Sequence, residues 1–146
     1  TVCAILLTEN RYCCVNVGDS RCYEITDEVV QLTKDQSLVQ REMDYGRLTP
    51  EQAKVDPRRS VLLQCVGGND SVPPDFYFGQ PKQNATYMLC SDGFVHEVTN
   101  EEILSKLHPN LLLSKENINT NAVELIEIDK SRGETDNITT LIVRTY

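Results

Sequence analysis

Three aspartates stand where their surroundings make a carboxylate unusual. Asp92 follows the apolar run Tyr87-Met88-Leu89-Cys90 and precedes Gly93, so a carboxylate is delivered at the end of a core strand. An uncompensated charge there is costly and needs a cation, an amide or water. Asp136, followed by Asn137, mirrors it between a helix stop and the last apolar strand. Asp19 lies in Val17-Gly18-Asp19-Ser20-Arg21, a short turn between strands. Each also has an ordinary reading. Gly-Asp is common in hairpin turns, which spacing alone favours for Asp19, and Asp92 and Asp136 suit caps or turns. Carboxylates at the ends of core strands, without clustered His or Cys, suit hard cations such as Mg²⁺ or Mn²⁺ better than zinc. His96 and His108 fit no metal-binding spacing, and the sequence holds no Gly-rich phosphate loop and no GxSxG elbow.

The elements that must position these residues read as follows. Residues 1–8, 11–17, 21–25 and 28–32 are rich in Val, Ile, Tyr and Cys and are separated by turn residues, which predicts four antiparallel strands in a meander. Leu38, Val39, Glu42 and Met43 switch to helical spacing, ended by Gly46. Thr49-Pro50-Glu51-Gln52 is a capping box with Pro at the first helical position, opening a second short helix that stops before Pro57. These two helices form an excursion, or flap, at about residues 35–57. Strands follow at 60–65, 75–80 and 86–91, with a loop at 66–74. A capping box at Thr99-Asn100-Glu101-Glu102 starts another helix, and a last one runs from about Thr120 to Ser131 before the closing strand at 138–144. About eight strands and four helices without βαβ alternation predict an α+β domain, not a doubly wound sheet.

The chain has 146 residues and a formal charge of −8, from 22 acidic and 14 basic side chains, which opposes nonspecific nucleic-acid binding. No apolar run approaches the roughly 18 residues that cross a bilayer. Six cysteines, at 3, 13, 14, 22, 65 and 90, lie in apolar strand-like segments without a CxxC pair. They read as buried free thiols, which predicts a reducing cytoplasm. Thr1 opens the chain in mid-strand, which predicts a piece of something longer.

Five segments, in order along nearly the whole chain, resemble elements of the metal-dependent phosphatase 2C family, bacterial branch. They are Val17-Gly18-Asp19-Ser20-Arg21; Leu32-Thr33-Lys34-Asp35-Gln36-Ser37-Leu38-Val39; residues 46–59; Leu89-Cys90-Ser91-Asp92-Gly93; and Gly133-Glu134-Thr135-Asp136-Asn137-Ile138-Thr139. The resemblance implies a layered antiparallel β-sandwich flanked by helices, and a protein Ser/Thr phosphatase. In such an enzyme two Mn²⁺ or Mg²⁺ ions, with a third held more weakly, activate a bridging water against phosphoserine or phosphothreonine. It implies metal-ligand roles for Asp92 and Asp136, a backbone role for Gly93, and a third-metal role for Asp19. It also implies phosphoprotein substrates and a cognate Ser/Thr kinase as partners. The family's N-terminal metal-binding elements are not in this chain, so residues 1–146 match the C-terminal portion of a catalytic domain, itself inactive and self-associating through open sheet edges. The alternative is a non-catalytic, partner-binding module. Gln36, His96 and Glu134 depart from the family pattern: the first two bear on flap contacts and the third metal, while Glu134 is expected to alter only a turn.

Overall fold

The structure, a computed structural model, describes residues 1–68 and 70–146. Two antiparallel sheets form its centre. In one, sheet A, β1 (Val2–Leu7), β2 (Tyr12–Val17) and β5 (Asp75–Gly79) lie in the order β1-β2-β5. In the other, sheet B, β3 (Arg21–Ile25), β4 (Val29–Gln31), β6 (Thr86–Cys90) and β7 (Thr140–Arg144) lie in the order β4-β3-β6-β7. Helices α1 (Leu38–Asp44) and α2 (Pro50–Val55) leave between β4 and β5, and α3 (Asn100–Leu107) and α4 (Lys115–Ser131) lie between β6 and β7.

Period-two alternation sorts side chains to either side of each sheet. Tyr23, Ile25, Met88 and Cys90 leave one face of sheet B and pack with Phe94, Ile103, Leu107, Leu112 and Leu125 beneath α3 and α4. Tyr12, Ala85 and Tyr87 form a second cluster, with Ile5, Leu7 and Leu32. Glu24 is buried, its charge met by the Tyr87 hydroxyl at 2.7 Å and Lys82 Nζ at 2.9 Å. The outward residues of sheet A include exposed Val2, Leu6, Phe76 and Phe78, the last two stacked at 6.3 Å.

Three expectations about the elements are corrected. The first four strands are not one meander: β1 pairs with β2, β3 pairs with β4, and the chain crosses between sheets at Gly18, where φ is +107°. Such a φ suits glycine, and it lets Gly18-Asp19 turn out of the plane of sheet A. Residues 60–65 are not a strand. Leu62 makes a single bridge to Ser37, and two backbone bonds tie the segment to residues 36–38, so its apolar run finds too little partner backbone for a ladder. Seven strands remain among the described residues. Helix α4 begins at Lys115 instead of Thr120, capped by Ser114, whose Oγ accepts the Asn117 N–H at 3.2 Å. Its polar first turns, residues 115–117, hid it from hydrophobic periodicity. Asn69, inside the predicted loop at 66–74, lies outside the described residues.

All six cysteines are free; Cys14, Cys22 and Cys90 are buried, while Cys3, Cys13 and Cys65 are only half-buried. Burial pushes the Cys90 thiol up to about 12, which keeps it protonated and unreactive. No helix among the described residues is long and apolar enough to cross a membrane.

Candidate metal centre

Ser91 joins the end of β6 to the start of β7. Its N–H donates to Thr139 O at 3.0 Å, its hydroxyl donates to Asn137 O at 3.0 Å, and its Oγ accepts the Thr139 N–H at 3.1 Å. The chain then enters a 3-10 turn, Asp92–Phe94, where Asp92 Oδ1 accepts the Gly93 N–H at 2.9 Å. Gly93 touches the opposite segment so closely that a Cβ there would lie 2.9 Å from Asn137 O and 3.2 Å from Asp136 Cβ. Two aspartates 44 positions apart are thereby set on abutting backbone. Asp136 Oδ1 accepts the Asn137 N–H at 2.6 Å.

Asp19 shares a cleft of about 520 Å³ with Asp92, while Asp136 is not among its lining residues. Burial raises the Asp19 pKa, and the charge of Asp92 adds to the rise. The cleft is also lined by Arg21, Asp35 and His96, by Val39 and Met43 of α1 and Ala53 and Lys54 of α2, and by Arg59. Among the described residues, no three His, Cys, Asp or Glu side chains converge closely enough to hold a metal ion. The structure therefore pairs Asp19 with Asp92 in the cleft and Asp92 with Asp136 through Gly93, without gathering all three.

Several positioning residues have no signal in spacing. Gln36 closes the Gly18-Asp19 turn: its Oε1 accepts the Gly18 N–H at 2.8 Å, its own N–H donates to Gly18 O at 2.9 Å, and its Nε2 reaches Asp75 at 2.8 Å. Arg21 grips Asp35 bidentately, with Nε–Oδ1 2.9 Å and Nη2–Oδ2 2.6 Å, fixing the approach to α1. Glu134, expected to alter only a turn, accepts the N–H groups of Thr135 and Asp136, both at 2.7 Å, and contacts His96 Nδ1 at 2.7 Å. Burial pushes the Glu134 carboxyl up, but these donors together hold it below its ordinary value. Asp129 is fully buried on α4; its Oδ1 accepts the Glu97 N–H at 3.1 Å and its Oδ2 has no partner, so burial raises its pKa. A carboxylate hidden this way reads in the sequence as one more polar residue of an amphipathic helix.

No family model matches the chain. Relatives of the chain are nevertheless bacterial Ser/Thr phosphatases, one of them a phosphatase 2C-type protein of Streptococcus pyogenes, and the fold of two antiparallel sheets with helices recurs in their solved structures. PstP of Mycobacterium tuberculosis is 38% identical over 144 residues, covering 97% of this chain and 26% of PstP. The Ser/Thr phosphatase stp of Listeria innocua is 33% identical, covering 98% of this chain and 55% of stp. The crystal structure of the Mycobacterium tuberculosis phosphatase PstP/Ppp superposes with a TM-score of 0.85 at 35% identity, covering 98% of this chain and 58% of the other. The PstP catalytic domain in complex with 2 manganese ions superposes at 0.79 with 34% identity, covering 98% and 56%. The chain thus spans between a quarter and about half the length of the curated relatives it matches.

The donors present fit a hard divalent cation in part. Asp92 and Asp136 each spend one oxygen on the following backbone N–H, leaving the other oxygen available, and the Gly93 contact keeps their segments together. They supply two donors, short of a full coordination sphere.

Proposed function

We propose that this chain is the C-terminal portion of a Mn²⁺- or Mg²⁺-dependent protein phosphatase acting on phosphoserine and phosphothreonine, with α1 and α2 as a flap over the cleft. The observation that carries this reading is the abutment of Gly93 on Asp136, which joins two carboxylates from distant parts of the chain. Asp92 and Asp136 would hold metal, Asp19 would serve a third, weaker ion, and Gly93 would supply the close backbone approach. Bound divalent metal would lower the pKa of the attacking water and neutralise phosphoryl charge. Lys54 on α2 and Arg59 in the turn after it offset the carboxylates of Asp19, Asp35 and Asp92 in the cleft where a phosphate dianion must approach. Phosphoproteins made by a partner Ser/Thr kinase are the expected substrates, and six free thiols support a cytoplasmic setting.

The remaining donors would come from polypeptide beyond this half-length match, so the 146-residue chain alone should turn over little. The full-length protein should hydrolyse a phosphothreonine peptide with Mn²⁺, and Asp92→Asn or Asp136→Asn should nearly abolish it. Unchanged activity in both variants refutes the assignment, and tight two-site Mn²⁺ binding to the isolated chain by calorimetry refutes the inactivity of this portion.

The second reading, a non-catalytic partner-binding module, is favoured by one observation. Sheet A ends in open edges at β1 and β5 among the described residues and exposes Leu6 and Phe78, each more than 60% accessible. It predicts self-association by light scattering; a monomer at all concentrations removes it.

A further inference from the structure

The segment that follows Asp92 is tied at three points to the C-terminal end of α4 and the turn after it. Asp129 Oδ1 accepts the Glu97 N–H at 3.1 Å, and Arg132 Nη1 donates to Glu97 O at 2.7 Å while its fork grips Glu102. The third tie is His96 Nδ1 to Glu134 Oε2 at 2.7 Å. With an ionised Glu134 as acceptor, Nδ1 carries the proton, and the ring so held lies with Nε2 3.6 Å from Asp92 Oδ2, a contact longer than a hydrogen bond. The other Glu134 oxygen accepts the N–H groups of Thr135 and Asp136 at once. The Glu134 side chain is only 5% exposed, so water competes poorly for these bonds.

We propose that His96 and Glu134 form a positioning clasp that fixes the backbone carrying Asp136 against the turn carrying Asp92. One carboxylate orders the peptide units ahead of Asp136, and one imidazole carries that order across to Asp92. Each acts through the aspartate beside it. The short His96–Glu134 bond joins the two segments, so removing either partner should loosen the same junction. The role rests on the metal-pair reading given above.

The test is an NMR study of the 146-residue chain and its His96→Ala, Glu134→Ala, Glu134→Gln and double-alanine variants. Without metal, Asp136 amide exchange should accelerate about tenfold in either alanine variant, no further in the double variant, and return toward the parent rate in Glu134→Gln, which keeps the oxygen acceptor. Magnesium chloride should move the Gly93 and Asn137 amide signals on one isotherm in the parent. In Glu134→Ala and His96→Ala, Gly93 should still respond while Asn137 lags. Variants that keep both signals on one isotherm, or that leave Asp136 exchange unchanged, overturn the clasp. If magnesium moves neither signal in the parent, the metal-pair reading fails by itself. The exchange rates then decide the clasp alone: unchanged rates end it, and accelerated rates retain it as an ordering device.

Discussion

Gly93→Ala puts the abutment of the two aspartate segments to a direct test. The added methyl would sit 2.9 Å from Asn137 O and 3.2 Å from Asp136 Cβ, where ordinary contacts begin at 3.4 Å, so the facing segment must retreat by about half an ångström. It has little freedom to do so. The Asn137 carbonyl accepts from the Ser91 hydroxyl, and the Asp136 N–H is held by Glu134. Overpacking against fixed backbone costs about 1–3 kcal/mol. Taken as ~2 kcal/mol, this is a factor of about 30 in the folding equilibrium and, for a domain of this size, a urea midpoint lowered by about 1 M with little change in slope. Urea unfolding followed by circular dichroism measures it, and amide shifts should concentrate at residues 91–93 and 136–139. A variant as stable as the parent, with those signals unmoved, would show that Gly93 and Asp136 do not abut and would remove the basis for pairing the aspartates.

The buried carboxyl of Asp129 predicts a pH signature. Its folded pKa lies above the ordinary 3.8, so the folded state holds the proton more tightly and stability is lost as pH rises from the unfolded value through the folded one. Asp129→Asn should flatten this decline between acid and neutral pH, seen in urea midpoints, whereas an unchanged pH profile contradicts the burial cost. Tyr87→Phe should cost about 2 kcal/mol, or roughly 6 °C in Tm, because buried Glu24 loses a 2.7 Å donor and the Lys82 N–H loses its acceptor. Calorimetry that finds no drop would mean that the Tyr87–Glu24 bond contributes nothing.

Local chemistry was the legible part. Both capping boxes form as the residue spacing implies: Thr49 with Gln52, and Thr99 with Glu102, each with its two reciprocal hydrogen bonds. Strands with alternating apolar residues were found to within a residue or two. Nothing local told which sheet β3 joins, because that depends on a backbone reversal at one glycine and on a strand about 65 residues downstream. Residues 60–65 have the composition of a strand but no ladder to enter. Within the candidate site, Asp92 and Asp136 stood out through their flanking residues. The His96–Glu134 and Gln36–Gly18 bonds did not, since each joins residues 38 or 18 positions apart whose types are ordinary on any surface.

The order of strands in sheet B also carries a message about timing. β6 pairs with β3, far behind it in sequence, and with β7, about 50 residues ahead. Such contacts close long loops, which costs chain entropy and slows folding. The segment bearing Asp136 hangs on Ser91 through Asn137 and Thr139, immediately before β7. Two carboxylates therefore come together only when β7 has zipped onto the sheet. A nascent or partly folded chain has Asp92 without its companion, so the divalent-ion affinity proposed for the pair would be a property of the finished fold and not of its pieces.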